Sequence, residues 1–180
     1  TKLSAAVIGA ALFAPAYAVD LPTGTTSVHI QSHNTQQTLA AKNYGSQNNR
    51  GFNLQSWDVT TTDGATFLAL CIEPGVNMNP GTKSYVASSP FYFADTTTGA
   101  LHQASIERLY GLYYDQITGT DEASKDLSLS FQLALWELNN DDANLATGTL
   151  AASTTGRNAT LTTYAGAVPM VEQAYSMLAA

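Results

Sequence analysis

The sequence predicts an α+β fold: an antiparallel β-sandwich or barrel with a helical subdomain packed on it. Three observations carry that prediction. Short apolar-alternating runs, separated by Asn- and Gly-rich punctuation, fill residues 19–100, the pattern of strands joined by turns. From Leu101 onward the apolar residues recur at intervals of three and four, the period of a helix face. A chain of 180 residues, 44 % hydrophobic, is large enough for one sizeable core.

The strands come first. "TSVHIQS" alternates around Val28 and Ile30, and "GFNLQSWDVTT" places Phe52, Leu54 and then Trp57 and Val59. "ATFLALCIEPG" is a compact apolar run that ends in the turn signal Pro74-Gly75. "KSYVASS" and "PFYFAD" are shorter strand candidates. In "LHQASIERLYGLYYDQI", the residues Ile106, Leu109, Tyr110, Tyr113 and Ile117 form a helical stripe. A loop follows in which Ser124 is an N-cap candidate. Leu127, Phe131, Ala134, Leu135 and Leu138 then repeat the helical spacing until "NNDD" ends the helix. The stretch from Ala143 to Thr163 reads as a loop with room for a short strand. A last helix opens with Pro169 in its first turn and shows Val171, Tyr175 and Leu178.

Before the strands stands "TKLSAAVIGAALFAPAYA", with Lys2, an apolar stretch and Ala16-Tyr17-Ala18. It reads as a signal peptide over residues 1–18 with an A-x-A cleavage site, so the mature domain is 19–180, mainly β to residue 100 and mainly α from 101. The apolar stretch is too short to span a bilayer comfortably, and no integral membrane segment is expected in the mature chain. A secreted protein fits this leader. It also fits a surface rich in Thr, Ser, Asn and Gln with only 12 % charged residues. The net charge of −7 disfavours a phosphate-binding patch, so nucleic acid is not an expected partner. The single cysteine, Cys71, has no internal disulfide partner. It is a buried thiol, a reactive group or a link to another chain.

Gln132 stands inside the run "SFQLALWEL". On a helix that run is apolar nearly all round, so it is buried on most sides. An unpaired buried amide costs about 1–3 kcal/mol. Gln132 therefore pairs with neighbouring backbone, faces solvent or has been chemically changed.

Cys71 and Gln132 are joined by a resemblance. Leu70-Cys71-Ile72 followed by Glu73-Pro74-Gly75, and Phe131-Gln132-Leu133-Ala134-Leu135-Trp136 later on a helix, resemble the two motifs of bacterial thioester domains of secreted surface adhesins. Leu133 departs from the family pattern, which more often has a small residue there. The resemblance implies an internal thioester between the Cys71 sulfur and the Gln132 side-chain carbonyl, with Trp136, Leu70 and Phe131 walling the pocket. It further implies covalent attachment to an amine-bearing surface molecule, such as a protein lysine or an amino sugar. The module is single-use rather than an enzyme, with no cofactor and no metal. Tyr110, Tyr113, Tyr114 and His102 are assisting candidates by neighbourhood only.

Two other classes compete. A non-covalent glycan-binding or structural β-rich module would use Trp57, Tyr85, Phe91 and Tyr92, although such aromatics are more often core. A cysteine hydrolase would need Cys71 beside His29, His33 or His102, and no nucleophile motif surrounds the cysteine. His29 and His33 read as surface residues, and Asp141 and Asp142 as a solvated helix end where a Ca²⁺ site lacks support.

Overall fold

The structure is a computed structural model that describes residues 25–34, 37–41, 50–72, 79–86, 101–145, 152–153, 159–161 and 167–180. The leader of residues 1–18 and the candidate strand "PFYFAD" lie outside the described residues.

Eight strands and three helices are described: β1 (Thr25–Ser32), β2 (Gln37–Ala41), β3 (Arg50–Leu54), β4 (Ser56–Thr61), β5 (Thr66–Leu70), β6 (Gly81–Val86), α1 (Gln103–Ile117), α2 (Glu122–Asn140), β7 (Ala152–Ser153), β8 (Ala159–Leu161) and α3 (Ala167–Ala179). One sheet has the order β5-β4-β1-β6 and is antiparallel throughout. The other has the order β3-β2-β8-β7, with β7 and β8 parallel. The fold is therefore α+β. Both sheets are open, so the expected barrel does not close.

Two details of the expected layout change. β2 was not marked by its sequence, because "QTLAA" is too short and too weakly alternating to stand out. β7 and β8 come from the mainly helical half and pair back onto β2.

The C-terminal part of β5 is buried on both faces, which explains its unbroken apolar run. Successive strand residues face opposite sides. Val28, Ile30, Trp57, Val59 and Ala69 cluster on one side, with Phe67 packed against them. Leu68 and Leu70 face the other way and join Leu54, Ile72 and the helices in the main core. The hairpin between β4 and β5 turns at Gly64, whose φ of +89° suits glycine.

α2 is the centre of the helical layer. Every residue from Ser128 to Asn139 is buried, as the all-round apolar pattern requires. Its N-cap is Asp121 and not Ser124. The Asp121 Oδ1 accepts from Ser124 N at 3.0 Å, which makes Ser124 the third residue of the helix. An aspartate capping its own first turn satisfies an otherwise orphaned N–H and matches the helix dipole. The close cap also explains Gly119, where a Cβ would stand 2.8 Å from Asp121 Oδ2.

α1 buries Ile106, Leu109 and Ile117 as expected. On α3 the buried stripe is rotated from the expected one: Ala174 and Met177 are buried and Leu178 is half-buried, while Tyr175 is exposed. The phenol can keep its hydroxyl wet there while smaller or apolar neighbours fill the core.

A polar knot fastens α2 to the sheet. Asn34 Nδ2 donates to Ser56 Oγ at 2.8 Å and to Ser128 Oγ at 2.7 Å, and Asn34 Oδ1 accepts from Ser56 N at 3.2 Å. All three residues are buried. Truncating one member strands the others, and a stranded buried polar group costs about 1–3 kcal/mol. Asn34→Ala is therefore expected to lower the urea midpoint by an amount equivalent to about 2–3 kcal/mol. An unchanged midpoint would show that the knot contributes nothing.

Candidate functional site

Cys71 follows the last residue of β5, which among the described residues is an edge strand. Its outer backbone groups and those just beyond its end need partners from elsewhere. The helices supply them. The Tyr114 hydroxyl on α1 donates to Leu68 O at 3.0 Å. Asn139 and Asn140 on α2 each donate a side-chain N–H to Ile72 O, at 3.1 and 3.0 Å.

Between these contacts lies the Cys71 peptide. Its N–H donates to Gln132 Oε1 at 2.8 Å, from a residue 61 positions away in the chain. The Gln132 amide N–H in turn donates to Cys71 O, which also accepts from Trp136 Nε1 at 2.6 Å. The carboxamide thus pairs reciprocally with the N–H and C=O of one residue, as a strand neighbour would. Gln132 and Trp136 sit one helical turn apart, which brings both side chains to the same place.

Cys71 Sγ is separated from that peptide nitrogen only by its own Cα and Cβ. The thiol thus belongs to the residue whose N–H and C=O the Gln132 carboxamide pairs with. Cys71 is half-buried and not in a disulfide, while Gln132 is fully buried and Trp136 nearly so. The Cys71 N–H already points at Oε1, the position where negative charge would develop if sulfur added to the carbonyl carbon.

The expected wall residues Leu70 and Phe131 lie in the same core cluster as Trp136, and Cys71 packs against that cluster. Tyr110 stacks on Tyr114 with ring centroids 5.7 Å apart and meets Phe131 edge-on at 5.0 Å. Burial, and then the neighbouring Tyr114, push the Tyr110 hydroxyl far above the ordinary tyrosine value of 10.0. Burial also pushes Tyr114 up to about 12. Both phenols thus stay neutral and can donate hydrogen bonds near the end of β5. His102 instead uses Nδ1 on Leu138 O at 2.8 Å, a contact at the far end of α2.

The histidine pair is not gathered into a site. His29 is exposed, whereas His33 is buried with Nδ1 2.8 Å from Asp58 Oδ1. The surface reading of His33 is thus corrected: the chain turns inward after β1, where His33 N also pairs with Ser56 O. Trp57 is core, Tyr85 lies on β6, and Phe91 and Tyr92 lie outside the described residues.

Sequence reasoning missed Glu137. It is fully buried near the end of α2, and the one available signal was a carboxylate directly after Trp136 in an otherwise apolar run. Glu137 Oε1 accepts from Asn144 N at 3.1 Å, and the same N–H reaches Asp142 Oδ1 at 3.0 Å. Burial first, then the Asp141 charge and the contact with Asp142, push the Glu137 carboxyl up to about 8.

No protein-family model, curated protein or solved structure matches this chain.

A carboxyl raised from 4.5 to about 8 on folding binds its proton more tightly in the native state. The resulting stability is full below the unfolded value and is lost as pH rises through the folded one. In buffer free of divalent cations, urea stability is expected to fall from pH 5 to pH 8. Glu137→Gln, which stays neutral, should flatten that slope; parallel slopes for the two proteins would refute the assignment.

Proposed function

We propose that this chain forms an internal thioester between Cys71 and Gln132 and acts as a single-use covalent attachment module on a secreted surface protein. The observation that carries the reading is the reciprocal pairing of the Gln132 carboxamide with the Cys71 peptide. An amide is a poor electrophile, and a thiol with a pKa of about 8.5 is only a small fraction thiolate at neutral pH. Well-oriented groups recover about 7–11 kcal/mol relative to a bimolecular encounter. The pairing supports an orientation of that kind.

The step balances as follows. Cys71 Sγ attacks Gln132 Cδ; the S–C bond forms and the Cδ–Nε2 bond breaks. Nε2 leaves as ammonia, taking the thiol proton. Charge on Oε1 during the addition is met by the Cys71 N–H. Trp136 and the surrounding core keep water from the product. A primary amine on a target then attacks Cδ. The new C–N bond replaces the C–S bond, and the sulfur leaves as thiol with a proton from the amine. The target is an amine-bearing surface molecule, a protein lysine or an amino sugar, held by an amide to Gln132. This is one turnover, not enzymatic catalysis, and it requires no cofactor.

Among the described residues, no helix is long and apolar enough to cross a membrane. That is compatible with a module displayed outside the cell. The far face of the first sheet is also buried, which supports stacking of the two open sheets as a sandwich beneath the helices.

One observation favours a second reading. The same hydrogen bonds satisfy the Gln132 amide as it stands, so it could serve as a clamp between strand and helix in a non-covalent, structural or glycan-binding module. Intact mass separates the two. The thioester predicts a mature protein lighter than its sequence by one ammonia, with the deficit abolished in Cys71→Ala. Methylamine should add at Gln132 and release one titratable thiol. A full sequence mass, with a titratable thiol from the outset and no methylamine adduct, would leave only the clamp.

A further inference from the structure

At the C-terminal end of α2, Glu137, Asp141 and Asp142 each bring a carboxylate oxygen to within 4.8 Å of the others. The helix end is an unfavourable place for three acids, since its own carbonyls carry partial negative charge, and no basic residue occupies its last turn. Glu137 marks the cluster off from an ordinary solvated acidic patch. Its side chain is fully buried, and Oε2 has no hydrogen-bond partner among the described residues. Buried polar atoms are ordinarily satisfied, so an orphaned carboxylate oxygen beside two further carboxylates points to a missing electropositive partner.

The chain after the helix is shaped around the same place. Asn144 N reaches both Glu137 Oε1 and Asp142 Oδ1, closing the segment back onto the helix. Ala143, just before it, holds a φ of 62°. A non-glycine residue is uncommon in that left-handed region. Glu137, on the buried part of α2, and Asp142, on the exposed loop, thus converge from two directions.

We propose that Glu137, Asp141 and Asp142 form a Ca²⁺ site that pins the loop after α2 to the end of that helix. All three ligands are hard oxygens, which select Ca²⁺ or Mg²⁺ over the thiolate- and imidazole-seeking metals. Oxygens bound at Ca²⁺ distances can stand as far as about 4.6–5.2 Å apart across the ion, whereas at Mg²⁺ distances the limit is about 4.2 Å. Three carboxylate oxygens that all lie within 4.8 Å of one another fit inside the Ca²⁺ span. Mg²⁺ also gives up its waters reluctantly and is seldom held by protein carboxylates alone. Water would complete the Ca²⁺ shell on the exposed Asp142 side. The site does not depend on the thioester: Glu137 lies more than a turn beyond Gln132 on α2, and the cluster uses none of the same atoms.

Thermal unfolding of the full chain, after chelator treatment and dialysis, tests the proposal. A hundredfold excess of Ca²⁺ over its dissociation constant is expected to raise Tm by about 5–10 °C. The same concentration of Mg²⁺ should produce a clearly smaller shift. Equilibrium dialysis should find one Ca²⁺ per chain. Asp142→Asn, on an exposed residue and so compatible with folding, should weaken binding at least tenfold, and Glu137→Gln should abolish the Tm shift. No Tm shift with no bound Ca²⁺ in the unaltered chain would overturn the site. So would equal Ca²⁺ binding by the unaltered chain and both variants.

Discussion

The exit of β5 is the constraint around which the rest of the molecule is arranged. An edge strand that ends under a helical layer leaves peptide groups where water cannot serve them, and each must find a partner. α2 answers with side chains placed about a turn apart. Ser128 joins the Asn34–Ser56 knot, Gln132 and Trp136 take the Cys71 peptide, and Asn139 with Asn140 takes the Ile72 carbonyl. One helix line thus carries polar groups through an otherwise apolar core. An aliphatic residue at position 132 would bury readily but leave the Cys71 N–H without its acceptor.

The same economy makes the clamp and the thioester neighbours in chemical space. A carboxamide that pairs with the Cys71 N–H and C=O stands beside the residue that carries the chain's single thiol. Under the thioester reading, the residue at position 71 turns a structural contact into a reactive one by offering sulfur where alanine or serine would offer nothing comparable. The N–H that satisfies Oε1 in the resting amide is also the donor that would meet charge in the addition. The aromatic packing of Tyr110, Tyr114, Phe131 and Trp136 lowers the local polarity, which would favour persistence of a thioester formed there.

At its far end α2 accepts a conflict. Its buried run stops at Asn139, and Glu137 lies two residues earlier, facing Asp141 and Asp142 against the sign of the helix dipole. A proton or a cation must relieve that arrangement. The loop fold, with Asn144 N bridging two carboxylates, gives the relief a fixed geometry. Gln132 and Glu137 thus set an amide and a carboxyl, each with its own partners, on one buried segment of α2.

Much of the local structure was legible in the residues. The period of two in β1 and β4, the period near four in α1 and α2, and the all-round apolar character of α2 are properties of neighbouring residues, and secondary structure follows that local pattern. The singular cysteine and the buried glutamine could be marked for the same reason, since each stood out against its own surroundings. Ser124 as a cap and Tyr175 as core were misread because capping and facing turn on a single residue's shift, which periodicity does not resolve. Meetings across long separations were beyond local pattern altogether. That Cys71 abuts Gln132, that His33 is buried against Asp58, that Asn34 links a strand to a helix, and that β8 returns to β2 all depend on strand order and on how α2 lies across the sheet. Those are settled only when non-local burial and backbone satisfaction are met together, because no stretch of chain contains both partners.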